Sequence, residues 1–186
     1  MENLPLRVFA LELDAVPLRA VVEALEAAGQ PAEISVSIAG SAEDEDLDDL
    51  NWEAAFLRWK TPELHEVALL ERDVREKDEE ADAAIASGLR LIANSTDAAG
   101  QLIVADHLRR TQTVYFLQIL PALIADDDHP GWAALDLVLR CLAAHSNGLI
   151  YAEGEGFFES DGELLLDESE DERESFEDTE EEPNEA

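Results

Sequence analysis

Four groups of residues in this chain have types and spacings suited to chemistry. The densest is Asp126-Asp127-Asp128-His129. Hard carboxylate oxygens suit Mg²⁺ or Mn²⁺, and an imidazole can add a nitrogen ligand or act as general base. Asp126, Asp128 and His129 are therefore the candidate metal ligands, and with them comes the reading of a metal-dependent enzyme. The run fails as an EF-hand loop, because Pro130 falls inside it and the closing position is Leu137, where a bidentate glutamate is required. The competing reading is a solvated turn whose acids lie ahead of a helix and favour its positive end.

The second group is Cys141 and His145, one helical turn apart and so on one face, as a nucleophile and its base would be. Against this, Cys141 lies in the apolar run Val138-Leu139-Arg140-Cys141-Leu142, where a small buried hydrophobe is the default. The third group, His107, Arg109 and Arg110, is a candidate anion site for a carboxylate or phosphate. In so acidic a chain these cations also have carboxylates nearby to pair with. The fourth, Gly154-Glu155-Gly156, opens like a dinucleotide fingerprint but lacks the third glycine, and Glu153 and Glu155 would repel a phosphate. A glycine kink in an edge hairpin is the better reading. No P-loop, nucleophile elbow, zincin helix or paired CxxC occurs, so no catalytic set is assembled and no cofactor is implied.

Charge narrows the functions further. The 186 residues carry 45 Asp and Glu against 12 Lys and Arg, a net charge of −33. Nucleic acid and anionic membrane both require a positive face, so neither is expected as a direct partner. The expected partner is a basic protein. Lys60 and Lys77 are the only lysines. Abundant acid with few lysines also matches host adaptation to high salt or a GC-rich genome, which would leave the acidity without a binding role. A single cysteine excludes a disulfide framework. Met-Glu-Asn-Leu-Pro has no positive region leading into an apolar one, and the apolar stretch 114–125 is broken by Gln118 and Pro121, so a cytoplasmic location is expected.

The elements that must position these groups follow from periodicity. Leu6–Leu13 reads as a strand, Pro17–Ala28 as a helix with Leu18, Val21, Val22 and Leu25 on one stripe, and Ile34-Ser35-Val36-Ser37-Ile38 as a half-buried strand. Residues 41–51 hold Glu43, Asp44, Glu45, Asp46, Asp48 and Asp49 and read as an exposed acidic loop. Trp52–Trp59 and His65–Val74 form a hairpin around Lys60-Thr61-Pro62-Glu63, although Trp52, Phe56 and Trp59 also recur at helical spacing. Helices are expected over 79–93, 98–110 and 132–145, a buried strand over 113–120, and a final strand pair over 149–153 and 163–166.

The resulting order is β-α-β-β-β-α-α-β-α-β-β, an α+β domain over residues 1–166 with helices packed on a mixed sheet. Residues 167–186 contain 12 acids and one base and read as a disordered acidic tail. The functional expectation is a non-catalytic cytoplasmic protein, of inhibitor, immunity or adaptor type, that binds a basic partner. The alternatives are the metal-dependent enzyme and an acidity that reflects the host alone.

Even with every basic side chain paired, 33 carboxylates would remain in excess. Their repulsion is strongest in the compact state. Thermal melts should therefore show a melting temperature that rises with NaCl as the Debye length falls from about 30 Å at 0.01 M to about 10 Å at 0.1 M. A flat or falling profile would mean that the charges are neutralised locally.

Overall fold

The computed structural model describes residues 6–36 and 47–168. It opens with β1 (Leu6–Ala10), α1 (Leu18–Ala27) and β2 (Ala32–Ser35), then the hairpin β3 (Ala54–Trp59) and β4 (His65–Val74). Two helices follow, α2 (Glu79–Ile92) and α3 (Ala98–Arg110), then β5 (Thr113–Ile119), α4 (Pro121–Ile124) and α5 (Gly131–His145). The chain closes with β6 (Leu149–Ala152), β7 (Gly156–Phe158) and β8 (Leu164–Asp167). This is the expected α+β architecture, and the segment from Trp52 to Trp59 builds a strand, not a helix.

The eight strands form one sheet in the order β2-β3-β4-β5-β1-β6-β7-β8, with every pairing antiparallel. The expected mixed sheet is thereby corrected. β1 and β2 run in the same direction, but β5, β4 and β3 lie between them, so the β-α-β opening never closes into a parallel pair.

Apolar residues on both faces of the central strands explain the sandwich. Val8 and Ala10 face α1 and α5, whereas Phe9 between them faces α2 and α3. Tyr115 and Leu117 share the first face and Val114 the second. Fully burying one side chain of this size is worth about 1.5–3 kcal/mol, so a strand that buries both faces outweighs its β-sheet edges in holding the domain. In α1 the stripe Leu18, Val21 and Leu25 is buried. In α3 the Asp97 side chain caps the first turn by accepting from Ala99 N–H and Gly100 N–H at 3.0 and 3.1 Å. Leu102 and Ile103 of α3 face outward, which is why its stripe is blurred in sequence.

Three boundaries differ from expectation. The four-residue α4 is too short to show a period; Pro121 starts it. β7 separates the expected final strand pair, so β6 and β8 each pair with β7. Gly156 permits this at φ +128, where a Cβ would fall 2.0 Å from the Leu166 carbonyl oxygen. The tail begins later than residue 167. Asp167 belongs to β8, and the Glu168 carboxylate accepts from the Tyr151 hydroxyl at 3.1 Å and from Gly154 N–H at 3.0 Å. Residues 169–186 of the tail, 41–46 of the acidic loop, and Ser37 and Ile38 of the expected second strand lie outside the described residues. In the rest of the loop, Leu47 packs against the core and Asp48 pairs with Arg19 at 2.8 Å.

The loop from β1 to α1 is held by the backbone of one residue, Val16. The fully buried Tyr115 hydroxyl accepts from Val16 N–H at 3.0 Å, and Trp52 Nε1–H donates to the Val16 carbonyl at 2.8 Å. The two rings stack with centroids 5.7 Å apart. Tyr115→Phe removes the acceptor and leaves the Val16 N–H buried and unsatisfied. The unfolding free energy in urea should fall by about 1–3 kcal/mol. A loss below a few tenths would show that another acceptor takes over.

Candidate functional site

The Asp126–His129 segment joins α4 to α5 and spends its polar atoms on itself. Asp126 Oδ1 accepts from Asp128 N–H at 3.1 Å, and the Asp126 carbonyl accepts from His129 N–H at 3.0 Å and from Trp132 Nε1–H at 3.1 Å. His129 Nδ1 accepts from Gly131 N–H at 2.9 Å, so this nitrogen is used by the backbone and the ring proton sits on Nε2. The ring stands edge-on to Trp59 and to His65, with centroids 5.6 and 5.7 Å away. His65, brought over by the β3–β4 turn, is a neighbour that sequence spacing does not reveal. Asp126, Asp128 and His129 do not converge on one point. Among the described residues, the three-residue group whose ligand atoms lie within 4.8 Å of one another is Glu159, Asp161 and Glu163, all exposed.

The other candidates are separated as well. Cys141 is buried and His145 is exposed at the end of α5. Burial pushes the Cys141 thiol above its ordinary value, which suppresses the thiolate a nucleophile needs. His107 points inward, and its Nε2–H donates to the Phe9 carbonyl at 2.7 Å. Burial holds His107 below the usual imidazole value, and the charge of Arg110 acts in the same direction. Arg109 and Arg110 are exposed, and Arg110 pairs with Asp106 at 3.2 Å. His107 is thus part-buried while the two arginines stay exposed.

A different constellation is assembled by the fold. A groove of about 470 Å³ is lined by Glu53 just before β3, by Glu71, Arg72 and Asp73 of β4, and by Lys77 and Asp78 in the turn to α2. Its backbone is tied down: Arg72 N–H donates to the Glu53 carbonyl at 2.8 Å, and Asp78 Oδ2 accepts from Val74 N–H at 2.7 Å. Arg72 sends its Nη2–H to the Leu13 carbonyl at 2.8 Å, so one cation of the groove is anchored to the loop behind it. Burial raises the Asp73 carboxyl above 3.8, and the charges of Asp78, Glu80 and Glu71 raise it further. The groove is thus a place where negative charge is crowded. One signal in the sequence points to it: Glu71 and Asp73 are two apart on a strand and so share a face. Glu53 and Asp78 come from separate segments.

Comparison with protein-family models, with curated proteins and with solved structures gives no match to this chain.

The crowding at Asp73 has a signed consequence for stability. Its folded pKa lies above the unfolded value of 3.8, so the folded state holds more protons between the two values. The destabilising effect is fully present above the folded value and disappears below the unfolded one. Asp73→Asn should therefore raise the melting temperature at neutral pH, with the gap narrowing as pH falls through the carboxylate range. An Asn variant less stable than the parent at neutral pH would show that the Asp73 charge is compensated.

Proposed function

We propose that this protein is a non-catalytic binding module that takes a basic protein partner through its acidic surface, with the groove of Glu53, Glu71, Asp73 and Asp78 as the contact centre. The observation that carries this reading is the convergence of those four carboxylates from three segments, with Asp73 held above its normal range by burial and then by its neighbours' charges. An arginine or lysine entering the groove would relieve that repulsion and gain charge-assisted hydrogen bonds. The surroundings add to it. The described residues carry 30 acids and 11 bases, a net −19. Asp48, Glu66, Glu33, Asp82, Asp106 and Asp136 sit in ion pairs, which offset only part of that excess. Such a field speeds encounter with a cationic surface and selects against anionic ones. An inhibitor, immunity-type or adaptor role fits this mode of action.

The metal-dependent alternative draws less support, because His129 Nδ1 and Asp126 Oδ1 are already committed to local backbone N–H groups. An acidity that reflects only the host predicts no preference among surface carboxylates.

Calorimetric titration with a synthetic arginine-rich peptide separates these readings. Binding should weaken strongly between about 0.01 M and 0.1 M NaCl. The double variant Glu71→Gln/Asp73→Asn should lose about threefold to tenfold in affinity, given the usual worth of exposed charge pairs. The matched variant Asp126→Asn/Asp128→Asn should lose less. Equal losses in the two variants would place the attraction in the overall charge and remove the groove from the reading.

A further inference from the structure

A second cleft, of about 320 Å³, opens between α5 and the sheet face formed by β1, β6 and β7. Its walls are apolar: Leu6, Trp132, Leu139, Ile150 and Phe158. Leu139 and Ile150 are buried, whereas Leu6, Trp132 and Phe158 are only partly covered, so the described chain leaves apolar surface open there. The volume lies in the range of small-molecule sites, which combine an apolar body with a few placed polar groups.

The rim supplies those polar groups. Arg140 is locked: its Nε–H donates to Asp136 Oδ2 at 2.8 Å and its Nη1–H to the Asp161 carbonyl. Gly162 lies against the guanidinium at φ +88, a conformation that favours glycine, so the turn between β7 and β8 approaches Arg140 without backbone strain. Arg140 and Asp136 thus neutralise each other. Glu155 remains, exposed on the β6–β7 turn, its backbone held by Ala152 and Glu168. Among the described residues, no cation lies within ion-pair distance of its carboxylate. The rim therefore carries one uncompensated negative charge beside an apolar cleft.

We infer that this cleft binds a small amphiphilic amine, its aryl or alkyl body against Trp132, Leu139 and Phe158 and its ammonium on Glu155. A neutral ligand of the same shape would forgo the charge-assisted contact. A carboxylate would meet Glu155 and Asp136 with its own charge and find Arg140 already engaged.

Trp132 makes the cleft observable. The other tryptophans, Trp52 and Trp59, are 5 % and 3 % exposed, so a ligand in the cleft should perturb Trp132 emission selectively. The full-length protein would be titrated with 2-phenylethylamine, 2-phenylethanol and 3-phenylpropionate, following tryptophan fluorescence and heat. The amine should bind saturably, with the alcohol weaker by about threefold to tenfold and the carboxylate weaker still. In Glu155→Gln, a change at an exposed position, amine and alcohol should bind alike. Ala152→Phe, which fills the cleft, should abolish binding of both while far-UV dichroism is retained. The inference is overturned if the amine gives no saturable signal, if the carboxylate or alcohol binds as well as the amine, or if Glu155→Gln keeps the preference. Should Ala152→Phe fail to fold, the Glu155→Gln comparison decides alone.

Discussion

The Val16 backbone, clasped at its N–H by Tyr115 and at its carbonyl by Trp52, is the constraint on which the acidic groove depends. Both of its polar atoms are buried, and each meets one side chain from a distant part of the chain. An unsatisfied buried peptide group is costly, so the β1–α1 loop, the centre of β5 and the segment entering β3 are locked to one another. Trp52 sits between Asn51 and Glu53, both of which line the groove. Burying the indole under the loop therefore sets where Glu53 stands relative to Glu71 and Asp73. The Arg72 guanidinium extends the lock by donating to the Leu13 carbonyl a few residues earlier. Burial raises the Tyr115 hydroxyl above its ordinary pKa, partly opposed by the Val16 N–H and by Arg72.

The basic residues explain how so acidic a chain holds together. Several arginines act as internal ties to backbone carbonyls. Arg75 donates to the carbonyls of Arg109 and Thr111, Arg90 to that of Ala86, Arg72 to that of Leu13 and Arg140 to that of Asp161. Arg7 lies over the rings of Phe116 and Tyr151, 5.9 and 5.6 Å from their centroids. A guanidinium suits these tasks because its donors form a rigid planar fork that also stacks on aromatic faces. The preference for arginine over lysine, which composition alone ascribes to the host, thus has structural uses here. Of these arginines, Arg75 and Arg140 also pair with Asp82 and Asp136, and with 30 acids against 11 bases among the described residues the surface stays negative.

Both clefts are built at joints between elements. The acidic groove lies where β4 turns into α2, and the apolar cleft lies where α5 leaves the sheet face uncovered beside the β6–β7 and β7–β8 turns. In each, one arginine is held by neighbouring acceptors, and carboxylates outnumber the other cations, of which the groove has Lys77. On the readings proposed above, both clefts would take cations but differ in the body they would accept, a basic side chain on a polar floor or an amine on an apolar wall.

The elements themselves were legible wherever a local period is strong. The α1 stripe of Leu18, Val21 and Leu25, the β3–β4 hairpin around Pro62 and the buried run of β5 follow from the spacing of apolar residues, because burial of one face or two dictates that spacing. Elements of three or four residues, β7 and α4, carry too few repeats to show. Charge and its sign are also properties of composition, and they narrowed the partners before any coordinates. What the tertiary structure alone decided is adjacency. Strand order places β5 and β6 beside β1, which makes the sheet antiparallel, and it sets Glu53 against Glu71 and Asp73. The same packing buries Cys141 but leaves His145 exposed, and turns His107 inward while Arg109 and Arg110 stay exposed, since one helical turn fixes spacing while the sheet beneath determines which side chain is buried. Contacts between distant segments arise from the closure of the whole core, and no local pattern of residues encodes them.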